Sequence, residues 1–372
     1  MNNISDLQRS FLQYKKHQEL GHLKLNYFHK ISFIFIFFLL LPFIFVNIFF
    51  IYKRKNSEIY VIDYEAKQPY IRINQEFEKS NRFRFLKINR LSIPTVPLIF
   101  FQDIIKNPIF CITHLAFLGA LLLKITKYYF FIKYYNISKL IVFQEYSFYM
   151  SYLTRIMESD GGKLYNVMHG VPGESYCFFR FSKCFIWGEF YKEVYIKNGA
   201  DKNQFIVSGS IFHYSLLKNR NTNIEDIDIL YAMDGDVTGK DDVINILEKL
   251  VNKYKIRVKQ HPRYRVDIGD TLIEIDNDII EAIVHSKLII SHYSTALLDV
   301  LIMGKTPISY LYNDVLEREY IPYLEKSLVV SNKLELINLI GKRMEYNDEI
   351  IVDKQYIEMK KNPIKVIIDE LF

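Results

Sequence analysis

From residue 138 onward, short apolar runs alternate with stretches of helical periodicity. Residues 140–143 read as a buried strand, 147–157 as a helix and 164–168 as a strand ending at His169-Gly170. Residues 185–188 form the next strand, 189–197 a helix closed by Asn198-Gly199, and 205–207 a strand ending at Ser208-Gly209-Ser210. Residues 217–227 are polar and lack any period, which predicts a linker. The alternation then restarts: strand 227–232, helix 241–254, strands 256–260 and 272–275, helix 278–286, strand 288–290, helix 294–303 with Gly304 as its stop, and strand 306–311. A helix over 333–344 and an amphipathic one near 355–372 finish the chain. Short apolar strands interleaved with helices predict parallel α/β sheets. Upstream, 59–62 reads as a first strand, whereas 75–135 mixes both periods and yields no clear assignment. The pattern predicts two Rossmann-like halves, 56–216 and 228–352, facing a cleft. A segment 1–55 precedes them and a helix 353–372 follows.

Residues 31–52 are almost unbroken apolar, interrupted by Ser32, Pro42 and Asn47. The run is long enough to cross a hydrocarbon core of about 30 Å. It does not read as a signal peptide, since some thirty residues precede it and no small-residue cleavage site follows. Charge gives a divided orientation: Lys53-Arg54-Lys55 lie on one side, and Arg9, Lys15, Lys16, Lys24 and Lys30 on the other. Pro42 would permit a kinked, re-entrant insertion. A single span, a monotopic insertion and a buried soluble helix all remain open. The second apolar stretch, 108–123, is short for a span and suits an interfacial or domain helix.

Half of the 372 residues are hydrophobic and 16% are aromatic, which adds to the expectation of membrane contact. A net charge of +6, without a Lys/Arg stripe or nucleic-acid motif, fits anionic lipid or a phosphorylated substrate and argues against a nucleic-acid partner. Cys111, Cys177 and Cys184 lack metal-site spacing and read as reduced thiols of a cytoplasmic catalytic portion. No metal site is expected.

Two motifs carry the chemistry. Lys259-Gln260-His261-Pro262-Arg263 ends one predicted strand, and Ser291-His292-Tyr293-Ser294-Thr295 leads from another into a helix. Ligands of open α/β sheets bind beyond the carboxyl ends of the strands. There His261 can donate to a phosphate, Pro262 fixes the chain as it leaves the strand, and Lys259 and Arg263 add positive charge. Ser294 and Thr295 can cap the helix and present hydroxyls and N–H groups to an anion; the alternative is a plain N-cap, a common role for Ser and Thr. Asp299, about one turn on, suits a ribose hydroxyl or a solvated helix position. His292 reads as a loop residue. Gly209 and Gly235, the latter in Asp234-Gly235-Asp236, are assigned to the donor site. In the first half, His169 ends a strand before the glycine-containing loop Gly170-Val171-Pro172-Gly173. It suits a general base that takes the proton of an acceptor hydroxyl, with Glu145 as the reserve base.

These motifs resemble, in order, those of bacterial GT-B glycosyltransferases of surface polysaccharides, across residues 138–312. The likeness runs through Val167-Met168-His169-Gly170-Val171-Pro172, Phe185-Ile186-Trp187-Gly188, Val207-Ser208-Gly209-Ser210, Lys259-Gln260-His261-Pro262 and 291–307. It is strongest to the sialyltransferase, polysialyltransferase and capsule-polymerase group. Teichoic-acid glycerophosphotransferases share a similar His-Gly loop. The resemblance implies a metal-independent, inverting transferase needing no cofactor, with a nucleotide-activated sugar as donor and a CMP-sugar ahead of the others. His261, Ser294 and Thr295 would hold the donor phosphate, and His169 would stand where the glycerophosphotransferases have their base. The acidic base motif of the sialyltransferases is absent from the first half, which departs from a sialyl donor. The expected acceptor is a lipid-linked, lipopolysaccharide, capsule or O-antigen glycan at the cytoplasmic face of the bacterial inner membrane. The alternatives are a CDP-glycerol-type phosphotransferase, a non-catalytic membrane-anchored assembly protein and, ranked last, a sugar-nucleotide epimerase.

Overall fold

The computed structural model describes residues 4–21, 23, 27–42, 56–62, 75–86, 95–170, 172, 176–218, 226–234, 239–261, 265–276, 278–292, 294, 296–303, 305–311, 328–345 and 362–372. The chain forms two compact units: residues 1–212 together with 355–372, and residues 213–354.

The first unit is built on six strands: β1 (Asn56–Ile62), β2 (Phe83–Leu86), β3 (Ile137–Val142), β4 (Lys163–Val167), β5 (Lys183–Ile186) and β6 (Phe205–Val207). They lie in the order β2-β1-β3-β4-β5-β6, every pair parallel. The order reverses between β1 and β3, the kind of switch point beside which such sheets bind ligands. Leu140, Ile141 and Val142 are all fully buried, as expected of a strand covered on both faces. The helix Leu115–Tyr134 packs on β3 and the helix Met150–Ser159 on β4.

Residues 75–135, unreadable as sequence, hold β2 and three successive helices, Leu98–Lys106, Pro108–Thr113 and Leu115–Tyr134. The last is the one helix among the described residues long and apolar enough to cross a membrane, yet most of it is buried in the unit. It is a domain helix. The apolar run at 31–52 begins in the helix Tyr27–Leu40, and its residues 43–52 lie outside the described residues. This helix lies directly on Leu115–Tyr134: a Cβ added to Gly119 would sit 1.8 Å from the Phe33 carbonyl oxygen, so only glycine allows that approach.

Two terminal segments read as separate from the halves prove part of the first unit. The helix Asp6–Glu19 starts with a capping box from Ser5 and Gln8. Arg180 clamps it to the body, reaching Asp6 and Glu158 at 2.7 Å each, while Arg9 donates to the Gly199 carbonyl at 3.0 Å. At the other end, the helix Pro363–Leu371 inserts Ile364, Ile367 and Leu371 into a core shared with Ile59, Val61, Phe143 and Phe185. These burials are why neither segment stands alone.

The second unit carries β7 (Ile227–Ala232), β8 (Ile256–Lys259), β9 (Ile273–Glu274), β10 (Ser286–Ser291), β11 (Pro307–Tyr310) and β12 (Leu328–Val330), in the order β12-β11-β10-β7-β8-β9. All described pairs are parallel. Counted from β7, this is the 3-2-1-4-5-6 order of the Rossmann fold, with its switch point between β7 and β10. β12 was not foreseen. The predicted linker at 217–227 is helical up to Lys218, within the helix Ile211–Lys218, and 219–225 lie outside the described residues.

Candidate functional site

In the first unit the two proposed bases meet. Glu145 follows β3 and His169 follows β4, and because these parallel strands are neighbours their ends deliver both side chains to one place. His169 Nδ1 lies 3.2 Å from each carboxylate oxygen of Glu145, and the bond to Oε2 has hydrogen-bonding geometry. Glu145 is fully buried and His169 is 13% exposed at its side chain. An ionised carboxylate only accepts, so this contact puts the proton on Nδ1 and makes Nε2 the basic nitrogen.

Asn166, fully buried in β4, holds the arrangement. Its Nδ2 donates to Glu145 Oε2 at 3.0 Å, and its Oδ1 accepts from the Gln144 amide at 2.9 Å. From the N-terminal helix, Gln13 donates to the Glu145 carbonyl at 3.1 Å. Glu145 Oε1 is buried without a hydrogen-bond partner, a costly state for a carboxylate oxygen. The rings of Tyr146 and Tyr176 lie close by. Burial first, and the Glu145 charge second, push the Tyr146, Tyr176, Cys184 and Tyr195 protons above their ordinary ranges. These neighbours stay neutral.

Sequence reasoning named His169 and Glu145 as alternatives and missed both Asn166 and Gln13. The signal for Asn166 was present: a lone amide inside the apolar strand Leu164-Tyr165-Asn166-Val167 needs a polar partner. Of the loop after His169, residues 171 and 173–175 lie outside the described residues.

In the second unit Ser291 ends β10, where its hydroxyl donates to the Ala232 carbonyl (2.6 Å) and lies 2.9 Å from Asp234 Oδ1. This ties the ends of β7 and β10 together at the switch point. Ser294 accepts from the Ala296 amide at 3.1 Å and so caps the helix Ala296–Ile302. Lys259 donates to the Ile275 carbonyl at 3.1 Å, and His261 stands just past β8. Gln260 is nearly buried and binds the Val266 amide at 2.7 Å, pinning the chain beyond the strand. Asp299 is engaged by a residue the sequence did not suggest, His213, whose buried Nε2 lies 2.7 Å from Oδ1. That bond competes with the expected ribose contact.

His292 is a core residue: its Nδ1 donates to the Tyr310 carbonyl at 2.8 Å, so Nε2 accepts the Tyr231 hydroxyl at 2.7 Å. Gly209 belongs to the first unit, after β6, where a φ of +82° explains the glycine. Pro262, Arg263, Thr295 and Gly235 lie outside the described residues. Among the described residues no cluster of His, Cys, Asp and Glu side chains suits a metal ion, and the three cysteines are free and buried.

No protein-family model and no curated protein sequence matches the chain. Solved structures do. The UDP-GlcNAc 2-epimerase of Methanocaldococcus jannaschii, in complex with UDP-GlcNAc and UDP, superposes with a TM-score of 0.53 at 14% identity, covering 85% of this chain and 99% of that one. The wall teichoic acid polymerase TagF gives 0.53 at 13% identity, covering 98% and 96%. A TagF variant soaked with CDPG gives 0.50 at 14% identity, covering 85% and 88%. At such identities the likeness establishes the fold: two parallel α/β units of the GT-B type.

Proposed function

We propose that this chain is a metal-independent GT-B glycosyltransferase. It would move a sugar from a nucleotide-activated donor to a glycan acceptor at the cytoplasmic face of the bacterial inner membrane, with the apolar run at 31–52 as its membrane contact. The observation that carries the reading is the His169–Glu145 pair, with a fully buried carboxylate set just beyond two central strand ends. Glu145 holds the Nδ1 proton, and Nε2 takes the proton of the acceptor hydroxyl as its oxygen bonds to the anomeric carbon. The bond from that carbon to the nucleotide phosphate breaks with inversion. The nucleotide phosphate is assigned to groups of the second unit: Lys259 at the end of β8 and His261 just past it, with Ser291 at the end of β10 and Ser294 after it. Stabilising charge where it develops is commonly the largest catalytic contribution.

A glycerophosphate transfer from a CDP-alcohol is the second reading, favoured by the coverage of nearly the whole chain by TagF. The same base would then direct the acceptor oxygen to phosphorus. Thermal-shift titration with CMP, CDP, UDP and GDP identifies the nucleotide, and a donor labelled at its distal phosphorus separates the two reactions, since only the second carries label into product. Replacing His169 with alanine is expected to lower kcat by about 10²–10⁴ with the fold intact. Unchanged turnover in the folded variant refutes the assignment, and the absence of any nucleotide-dependent shift favours a non-catalytic assembly protein.

A further inference from the structure

The first unit carries a second apolar surface, outside the run at 31–52. Leu98, Phe101, Ile105, Ile109 and Ile112 are all exposed, Ile109 at 78% and Ile112 at 72%. Within each of the consecutive helices Leu98–Lys106 and Pro108–Thr113 a spacing of three or four residues sets these side chains on one face. The opposite side of these helices is buried through Phe100, Asp103 and Cys111. The helix Tyr27–Leu40 is a neighbour, its Phe37 ring 6.4 Å from that of Phe100, and it turns Phe28, Phe35 and Phe38 outward. A contiguous patch of this kind marks an interaction surface.

Charge identifies what it faces. Between residues 95 and 134 the only carboxylate is Asp103. It is buried, 2.7 Å from Arg155 Nη2 and 2.6 Å from the Tyr152 hydroxyl. Residues 27–42 contain no acidic side chain at all. On these helices and on Leu115–Tyr134 the exposed charges are the positive Lys30, Lys106, Lys124 and Lys127. Exposed apolar faces on helices whose exposed charges are all lysines complement an anionic bilayer, the apolar side chains entering the acyl boundary and the ammonium groups meeting phosphates. A second copy of the chain would set lysines against lysines.

We propose that the stripe over residues 98–112, together with the outward face of the helix Tyr27–Leu40, lies in the plane of an anionic membrane surface. This rests on the membrane association proposed above and extends it to a surface that the apolar run does not include. It also gives the helix Tyr27–Leu40 an in-plane role, because its inner side is occupied by the helix Leu115–Tyr134 through Gly119.

The test uses the full chain, labelled with an environment-sensitive fluorophore through Ile109→Cys, and vesicles of phosphatidylglycerol and phosphatidylethanolamine containing a lipid-borne quencher. A label placed through Glu193→Cys, an exposed position on the helix Glu189–Lys197, is the control. The expected result is a blue shift and quenching at 109 but not at 193. Adding Ile105→Glu and Ile112→Glu should weaken the quenching about tenfold, and phosphatidylcholine vesicles should give far less of it. Equal quenching at 109 and 193, or a change of oligomeric state by light scattering when Ile105→Glu and Ile112→Glu are introduced, overturns the proposal. If the unlabelled protein fails to float with any vesicle, the membrane association itself is wrong. If it floats while position 109 stays unquenched, only this surface is.

Discussion

Each sheet places a histidine just past a central strand, and the two have different partners. His292, after β10, is 1% exposed and spends both ring nitrogens on the core, one on the Tyr310 carbonyl and one on the Tyr231 hydroxyl. His169, after β4, is partly exposed and binds a buried carboxylate through Nδ1. A neutral phenol and a carbonyl lock a ring in place without changing its charge. A carboxylate also stabilises the imidazolium that forms when the other nitrogen takes a proton. On the proposed function, the partner, rather than the histidine or its place on the strand, separates the proposed base from a fastening.

The comparison breaks most visibly at Glu145. Its replacement by glutamine should lower kcat by about 10²-fold or more, and the double variant with His169→Ala should be no slower than His169→Ala alone, because residues acting as a unit are non-additive. Losses that add in single-turnover kinetics would separate the two side chains. Next in size, His292→Ala should cost the second unit about 2–3 kcal/mol in denaturant unfolding, since the Tyr231 hydroxyl and Tyr310 carbonyl are left buried and unsatisfied. Turnover per folded molecule should hold. An intact midpoint with lost turnover would reverse the roles of the two histidines.

The smallest effect belongs to Asp228, at the start of β7. Its carboxylate is held below its ordinary range first by the hydrogen bond from Lys287 and then by the Lys255 amide, at 2.7 and 2.9 Å. Such a group stabilises the fold while ionised, and the contribution fades as pH falls through its lowered value. Asp228→Asn should therefore reduce stability slightly near neutrality. The difference from the parent should close as the pH drops below the ordinary carboxylate value of about 4, as followed by thermal melts across pH.

Where hydrophobic period and turn residues agreed, the fold was legible. The helix Glu189–Lys197, bounded by Gly188 and Asn198-Gly199, and the strands β6 and β7 stand where their patterns put them. The three helices between 98 and 134 were not legible, because apolar residues face outward as well as inward and erase the amphipathic contrast that a period search needs. β12 escaped because it is a three-residue edge strand in which only Val330 is buried. The site was half legible. A strand-end histidine is visible in a sequence, but the pairing of Glu145 with His169 depends on β3 and β4 lying side by side. The His213–Asp299 contact joins residues 86 positions apart, and nothing local announces it.

The helix Pro363–Leu371 completes the core of a unit whose larger part ends at Phe212. On a ribosome the second unit is therefore made in full while the first still lacks Ile364, Ile367 and Leu371. The unit that begins emerging first is the last to be finished, and until then part of its apolar face stays open to chaperones, to lipid or to its own unpaired neighbours.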